Sequence, residues 1–222
     1  MSAKSPHPPD APHIIWLCRR LASALHGDAS LLCALDAVGQ DAPTALAAPL
    51  RAIRQTVRAG GRVSDGLAKL QWPSFVCGMV RNGESRNAVE AVLLLVADQL
   101  EAEHATPAPT DPNLHAYAIA LARLGVMLRV GVPILTALET AAAADPRSQS
   151  HDVLMSACDP VRCGAELAGT LASLAPDLPE MTLDMIRDAE REGRLGDALP
   201  IIADYLLDAA GEAKPRRKKQ EV

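Results

Sequence analysis

An all-α fold, built as two tandem antiparallel bundles of five or six helices each, is what this sequence predicts. Three observations carry it. First, hydrophobic residues make up 49% of the 222-residue chain but aromatics only 2%, so alanine and leucine supply most of the apolar content. Both are strong helix formers, and the β-branched and aromatic residues favoured in strands are scarce. Second, apolar residues recur at helical spacing between glycine and proline breaks. Third, the second half of the chain repeats the first.

The repeat is read by self-comparison. Leu31-Leu32-Cys33-Ala34-Leu35-Asp36 lies over Ile134-Leu135-Thr136-Ala137-Leu138-Glu139 at a shift of 103, which also sets Leu21 and Leu25 on Leu124 and Leu128. Met79 to Glu84 lies over Met185 to Glu190 at a shift of 106, which sets Leu93 on Leu199 and Ala97 to Leu100 on Ala203 to Leu206. Two matches in order at nearly one shift mean duplication, with about three residues inserted between the landmarks. The join is His104 to Leu114, whose three prolines cannot continue a helix and favour an extended linker. The expected organisation is a disordered N-terminus over 1–12, copy one over 13–103, a linker over 104–114, copy two over 115–211 and a basic tail over 212–222. Small domains so joined move independently by default.

Within copy two, Ile119, Leu121, Leu124 and Leu128 mark one buried face of a helix over 115–130. Gly131 stops it, and Pro133 is expected in the first turn of the next helix. Copy one makes the same break with Asp28 and Ser30, whose side chains can accept backbone N–H bonds at a helix start. Later breaks fall at Gly60-Gly61 and at Gly164, and Pro73 and Pro179 open the following helices. The final helices carry Val89, Val92, Leu93, Val96, Leu100 and Leu195, Leu199, Ile202, Leu206. Pro200 predicts that the last helix starts near Asp197, with the proline in its first turn.

These landmarks resemble the cytoplasmic F domains of type II secretion and type IV pilus inner-membrane platforms. Gly131 to Glu139 resembles that family's Gly-Val-Pro-hydrophobic-Leu-x-Ala-Leu-Glu turn, and Met79 to Glu84 and Met185 to Glu190 resemble its Met-hydrophobic-Arg-x-Gly-Glu segment. Gly193-Arg194-Leu195 and Ile202 to Leu206 are similar to its closing element. Copy one departs more, with Asp28 at the turn glycine and Asn87 in place of Gly193. Family members follow each such domain with membrane-spanning segments, whereas no stretch here reaches the ~18 apolar residues such a span needs. The resemblance implies a non-enzymatic protein-interaction module, an adaptor or regulator. The partners it implies are secretion or pilus assembly proteins, either an ATPase or an inner-membrane component, with a homo-oligomer left open.

The candidate sites are docking residues. Arg51, Arg54, Arg58 and Arg62 read as a basic stripe along one helix, either a solvated face or a surface for an acidic partner. The matching region of copy two carries Asp145, Asp152 and Asp159 instead. Arg81 with Glu84, and Arg187 with Glu190, stand at i,i+3, suited to an exposed ion pair, to a tie between the fifth and sixth helices, or to a docking face. Glu101, Glu103 and Asp184 read as ordinary surface carboxylates. His151, Cys158 and Cys163 lack the paired Cys-x-x-Cys knuckle of a zinc site, so no metal is expected. Gly60 to Gly66 lacks the Gly-Lys-Ser/Thr ending of a phosphate loop, and no catalytic motif is present. No enzyme activity, cofactor or small-molecule substrate is expected.

A formal net charge of −5 argues against general nucleic-acid binding. Lys214 to Lys219 is a local exception that offers an alternative function, a regulator binding nucleic acid or an anionic membrane through its tail. Five cysteines without a secretory signal point to a reducing cytoplasm, with membrane contact only peripheral.

Overall fold

The computed structural model describes residues 10–26, 29–105 and 111–211. Among these the chain is helical throughout, with six helices in each copy. Copy one runs α1 (Ala11–Leu25), α2 (Leu31–Gln40), α3 (Thr44–Arg58), α4 (Val63–Lys69), α5 (Ser74–Ser85) and α6 (Val89–Ala105). Copy two runs α7 (Pro112–Arg129), α8 (Ile134–Ala143), α9 (Gln149–Arg162), α10 (Leu167–Leu174), α11 (Glu180–Arg191) and α12 (Leu195–Gly211). In each copy the first helix packs along the sixth, and the four intervening helices follow one another around that pair.

Local chemistry accounts for the boundaries. Ser30 caps α2 by accepting from the Cys33 N–H at 3.2 Å, and Asp28 lies outside the described residues. Pro43, Pro73, Pro133 and Pro179 stand at the N-caps of α3, α5, α8 and α11, so Pro133 sits one place before the first turn expected for it. The join between α11 and α12 turns at Gly193, φ 68°, and the corresponding join in copy one turns at Asn87, φ 55°. Asparagine is among the few non-glycine residues that tolerate the left-handed region. The replacement therefore keeps the turn, and the same bond closes it in both copies: Ala88 N–H to Gly83 O at 2.8 Å and Arg194 N–H to Ala189 O at 2.9 Å.

Several boundaries differ from expectation. Helix α1 starts at Ala11 rather than residue 13, behind Asp10 and with Pro12 in its first turn. Helix α6 runs on to Ala105, and α7 begins at Pro112 under Asp111, whose carboxylate accepts from the N–H groups of Asn113 and Leu114 at 3.1 Å. Residues 106–110 of the linker, the first nine residues and the basic tail lie outside the described residues. Helix α12 starts at Leu195, not near Asp197, so Pro200 lies beyond the first turn. The partner helix explains how the proline fits. Gly125 of α7 faces it so closely that a Cβ there would lie 2.5 Å from Pro200 Cδ and 2.9 Å from Leu199 Cβ.

The copies also touch, a point the sequence leaves open with independent motion only as the default. Helix α5 packs on α8 and α6 on α7, and one apolar cluster runs through both copies from Ile14 to Leu206. At this junction Arg123 of α7 grips Glu103 of α6, Nε to Oε1 at 2.8 Å and Nη2 to Oε2 at 2.7 Å. Its guanidinium carbon lies 5.5 Å from the centre of the Phe75 ring. The two charged side chains are only 16% and 13% exposed, so Glu103 is not the ordinary surface carboxylate expected. Asn82 Nδ2 donates to Val130 O at 3.0 Å, and Arg86 Nη2 to Gly131 O at 2.8 Å.

Replacement of Gly125 with alanine overpacks the α7–α12 crossing. An expected loss of about 2 kcal/mol in unfolding free energy is measurable by urea denaturation, whereas Gly169→Ala, where a Cβ meets nothing within 4 Å, is expected to gain up to about 1 kcal/mol from helix propensity.

Candidate functional site

The repeated glutamates do not pair with their i,i+3 arginines, nor do they tie the fifth helix to the sixth. Each reaches across to the start of the fourth helix of its copy. Glu84 Oε1 accepts from the Val63 N–H at 2.6 Å, and Oε2 from the Ser64 hydroxyl at 2.6 Å. Glu190 Oε1 accepts from the Leu167 N–H at 2.7 Å, and Oε2 from the Ala168 N–H at 3.1 Å. The first N–H groups of any helix lack intrahelical partners, and a carboxylate is the strongest acceptor for them, helped by the positive end of the helix. Arg81 turns instead to Asp65 at 3.3 Å, and Arg187 pairs with Asp184. Arg81 is exposed and Arg187 half-buried, each paired with an exposed carboxylate, and pairs of this kind contribute little.

The basic stripe divides. Arg51, Arg54 and Arg58 lie on α3, while Arg62 falls beyond it at the N-cap of α4. Arg54 is half-buried and pairs with Asp36 of α2, which takes it out of the free charge. Arg51 and Arg58 stay exposed, with Arg51 Nε bonded to its own helix at Ala47 O, 3.2 Å. Between α2 and α3 runs a groove of about 450 Å³ lined by Leu35, Asp36, Leu50, Arg51 and Arg54. Leu35 and Leu50 at its base are buried, so the groove offers a partner chiefly its polar rim, where the exposed Arg51 can meet an acidic segment. In copy two, Asp152 and Asp159 lie on α9, and Asp145 precedes it.

The candidate zinc residues have separate occupations. His151 Nδ1 bonds the Ala142 carbonyl at 2.9 Å, Cys158 Sγ donates to Leu154 O at 3.3 Å, and Cys163 is exposed at the end of α9. Burial pushes the Cys18 thiol up to about 12 and the Cys77 thiol up to about 11, and also raises Cys158.

Sequence reasoning did not find the junction residues Arg123, Glu103, Asn82 and Arg86. A signal existed for the first of them. Arg20 and Arg123 coincide at the shift of 103, an arginine at the matching place of the first helix in both copies.

Twin six-helix domains, each locked by an internal carboxylate cap and bearing charged helix faces, define an all-helical tandem-repeat protein. The chain belongs to the family described as Type II secretion system (T2SS), protein F, which matches residues 17–106 and again residues 120–218. A comparison with curated proteins returned no match. Among the described residues no helix is long and apolar enough to cross a membrane.

Loss of either cap leaves two donors without a partner. Glu84→Ala and Glu190→Ala are each expected to lower unfolding free energy by about 2 kcal/mol, measured by chemical denaturation, whereas Arg81→Ala and Arg187→Ala shift it by under about 0.5 kcal/mol. The thiols supply a second check. At pH 8 a disulfide reagent should react quickly with the exposed Cys33 and Cys163 and slowly with Cys18, Cys77 and Cys158, and unfolding in guanidinium should make all five equivalent.

Proposed function

We propose that this protein is a non-enzymatic docking module of a secretion or pilus assembly apparatus, an adaptor or regulator rather than a catalyst. Membership of the protein F family over both copies ties it to secretion machinery. The observation that carries the docking reading is the groove between α2 and α3, edged by the exposed Arg51. Arg58 continues the basic edge two turns further along α3. The occupant that fits is an acidic segment of an assembly ATPase or of an inner-membrane component. Long-range attraction to Arg51 and Arg58 would speed its encounter. The repeated polar residues support the same reading, since the two glutamates are spent on holding helices.

The test is affinity capture of the full chain from lysate with membranes included, followed by mass spectrometry. Recovery of an assembly ATPase or platform component is expected, falling about tenfold for Arg51→Glu with Arg58→Glu. Removal of residues 212–222 should leave that recovery unchanged. Capture lost with the tail and kept with the reversed arginines would instead favour the tail as the binding element.

A further inference from the structure

The junction between the copies joins two different faces. Helices five and six of copy one (α5, α6) receive helices one and two of copy two (α7, α8). Such a contact is heterologous, and it leaves one face of each kind unused: α11 and α12 at one end of the molecule, α1 and α2 at the other. The unused α11–α12 face holds three of the five large hydrophobic side chains left exposed among the described residues. They are Met181 (60%), Ile201 (63%) and Tyr205 (39%). At the shift of 106 these three are the counterparts of Phe75, Leu95 and Gln99. In copy one Phe75 is 1% exposed beneath Arg123, and Gln99, 9% exposed, bonds Glu103 at 2.9 Å beside the same arginine. Copy two therefore bares two positions that copy one keeps buried beside its neighbour, while the third, Leu95, is half-exposed in copy one.

We infer that the α11–α12 face docks the α1–α2 face of a second copy of this chain, head to tail, repeating the internal junction between molecules. Three features of the receiving face fit. Arg20 is the counterpart of Arg123 at the shift of 103 and stands outward on α1, held only by an exposed contact to Asp41 at 2.8 Å. At the internal junction Gly78 leaves room for Thr140, where a Cβ would come within 3.1 Å of Thr140 Cγ2. Their counterparts are Asp184 and Ala37, so the small residue has changed sides and the space is kept. The charges are also unequal. Residues 111–211 carry 15 Asp and Glu against seven Arg, whereas residues 10–105 carry ten against nine Lys and Arg. An acidic α11–α12 end thus meets a near-neutral end with an outward arginine, and salt weakens the contact. The contact is also weaker than the internal one. Ala209 replaces Glu103, so the enclosed ion pair is missing, and no linker raises the local concentration.

Sedimentation velocity of the full chain over about 1–200 µM reads this directly. The weight-average mass is expected to climb with concentration, less steeply at high salt. Met181→Asp with Ile201→Asp should raise the midpoint concentration at least about tenfold, as should Cys33→Glu with Ala37→Glu on α2. Both pairs replace residues that the fold leaves exposed or half-exposed, and unchanged helical circular dichroism verifies each. Mixing the two double variants is decisive, because each keeps the face the other lacks. A one-to-one dimer that grows no further is the head-to-tail result. A constant monomer mass in the wild type overturns the inference, and so does association that survives the Met181 and Ile201 changes. Association lost in both variants and not restored on mixing points to a symmetric contact, and overturns it equally.

Discussion

A helix of seven or eight residues cannot stabilise itself in water, because nucleation is costly and half of its backbone groups lie at its ends. The fourth helix of each copy is such a segment, and Glu84 and Glu190 supply what it lacks. Much of each copy depends on that bond. In copy one Gly66 of α4 lies against the backbone of Ile53 in α3, where an added Cβ would come within 3.1 Å of the Ile53 Cα. The carboxylate arrives from α5. One side chain thus sets the mutual positions of α3, α4 and α5, and with them the rim of the basic groove and the face that α5 presents to copy two.

The junction between the copies is built on a different principle. Its charged pair, Arg123 with Glu103, is largely enclosed, so it gains from attraction but loses hydration, and its net worth is small compared with the cost of breaking it. Its main effect is on register. A planar guanidinium held by two bonds to a carboxylate, above the Phe75 ring, accepts few other orientations. The carbonyls of Val130 and Gly131, left free at the end of α7, take donors from Asn82 and Arg86 of the other copy. Helix-end chemistry therefore both closes each copy and joins the two.

Local patterns made much of this legible. Helix number, the breaks at prolines and glycines, and the duplication itself follow from spacing and from turn chemistry, which act over a few residues. The glutamates were legible as a repeated pair, but their partners were not, because Val63 and Leu167 lie more than 20 residues away and a backbone N–H leaves no trace in sequence. The start of α12 was misread for a related reason. Pro200 weakens a helix by local rules, and only the glycine opposite it on α7 reveals how closely the two helices approach. Arg54 looked like one of four equivalent surface arginines until Asp36, on another helix, took it. The copy junction was the least legible part, since nothing in a single copy says which face its neighbour will choose.

The two classes of residue have diverged differently since duplication, and the structure gives the reason. Glu84 and Glu190, or Asn87 and Gly193, answer to demands inside a copy: backbone donors that need an acceptor, and a left-handed turn. Those demands are the same in both halves, so the answers are the same or physically equivalent. Gly78, Asn82 and Glu103 answer to a neighbour, and their counterparts Asp184, Asp188 and Ala209 do not. A heterologous junction makes this possible. Because copy one uses one face and copy two uses another, substitutions on the free α11–α12 face cost nothing at the internal contact. Within that freedom the face has kept three large apolar side chains exposed to water, Met181, Ile201 and Tyr205. Scattered apolar residues on a surface need no explanation, but three on one face, two of them at positions buried in copy one, do.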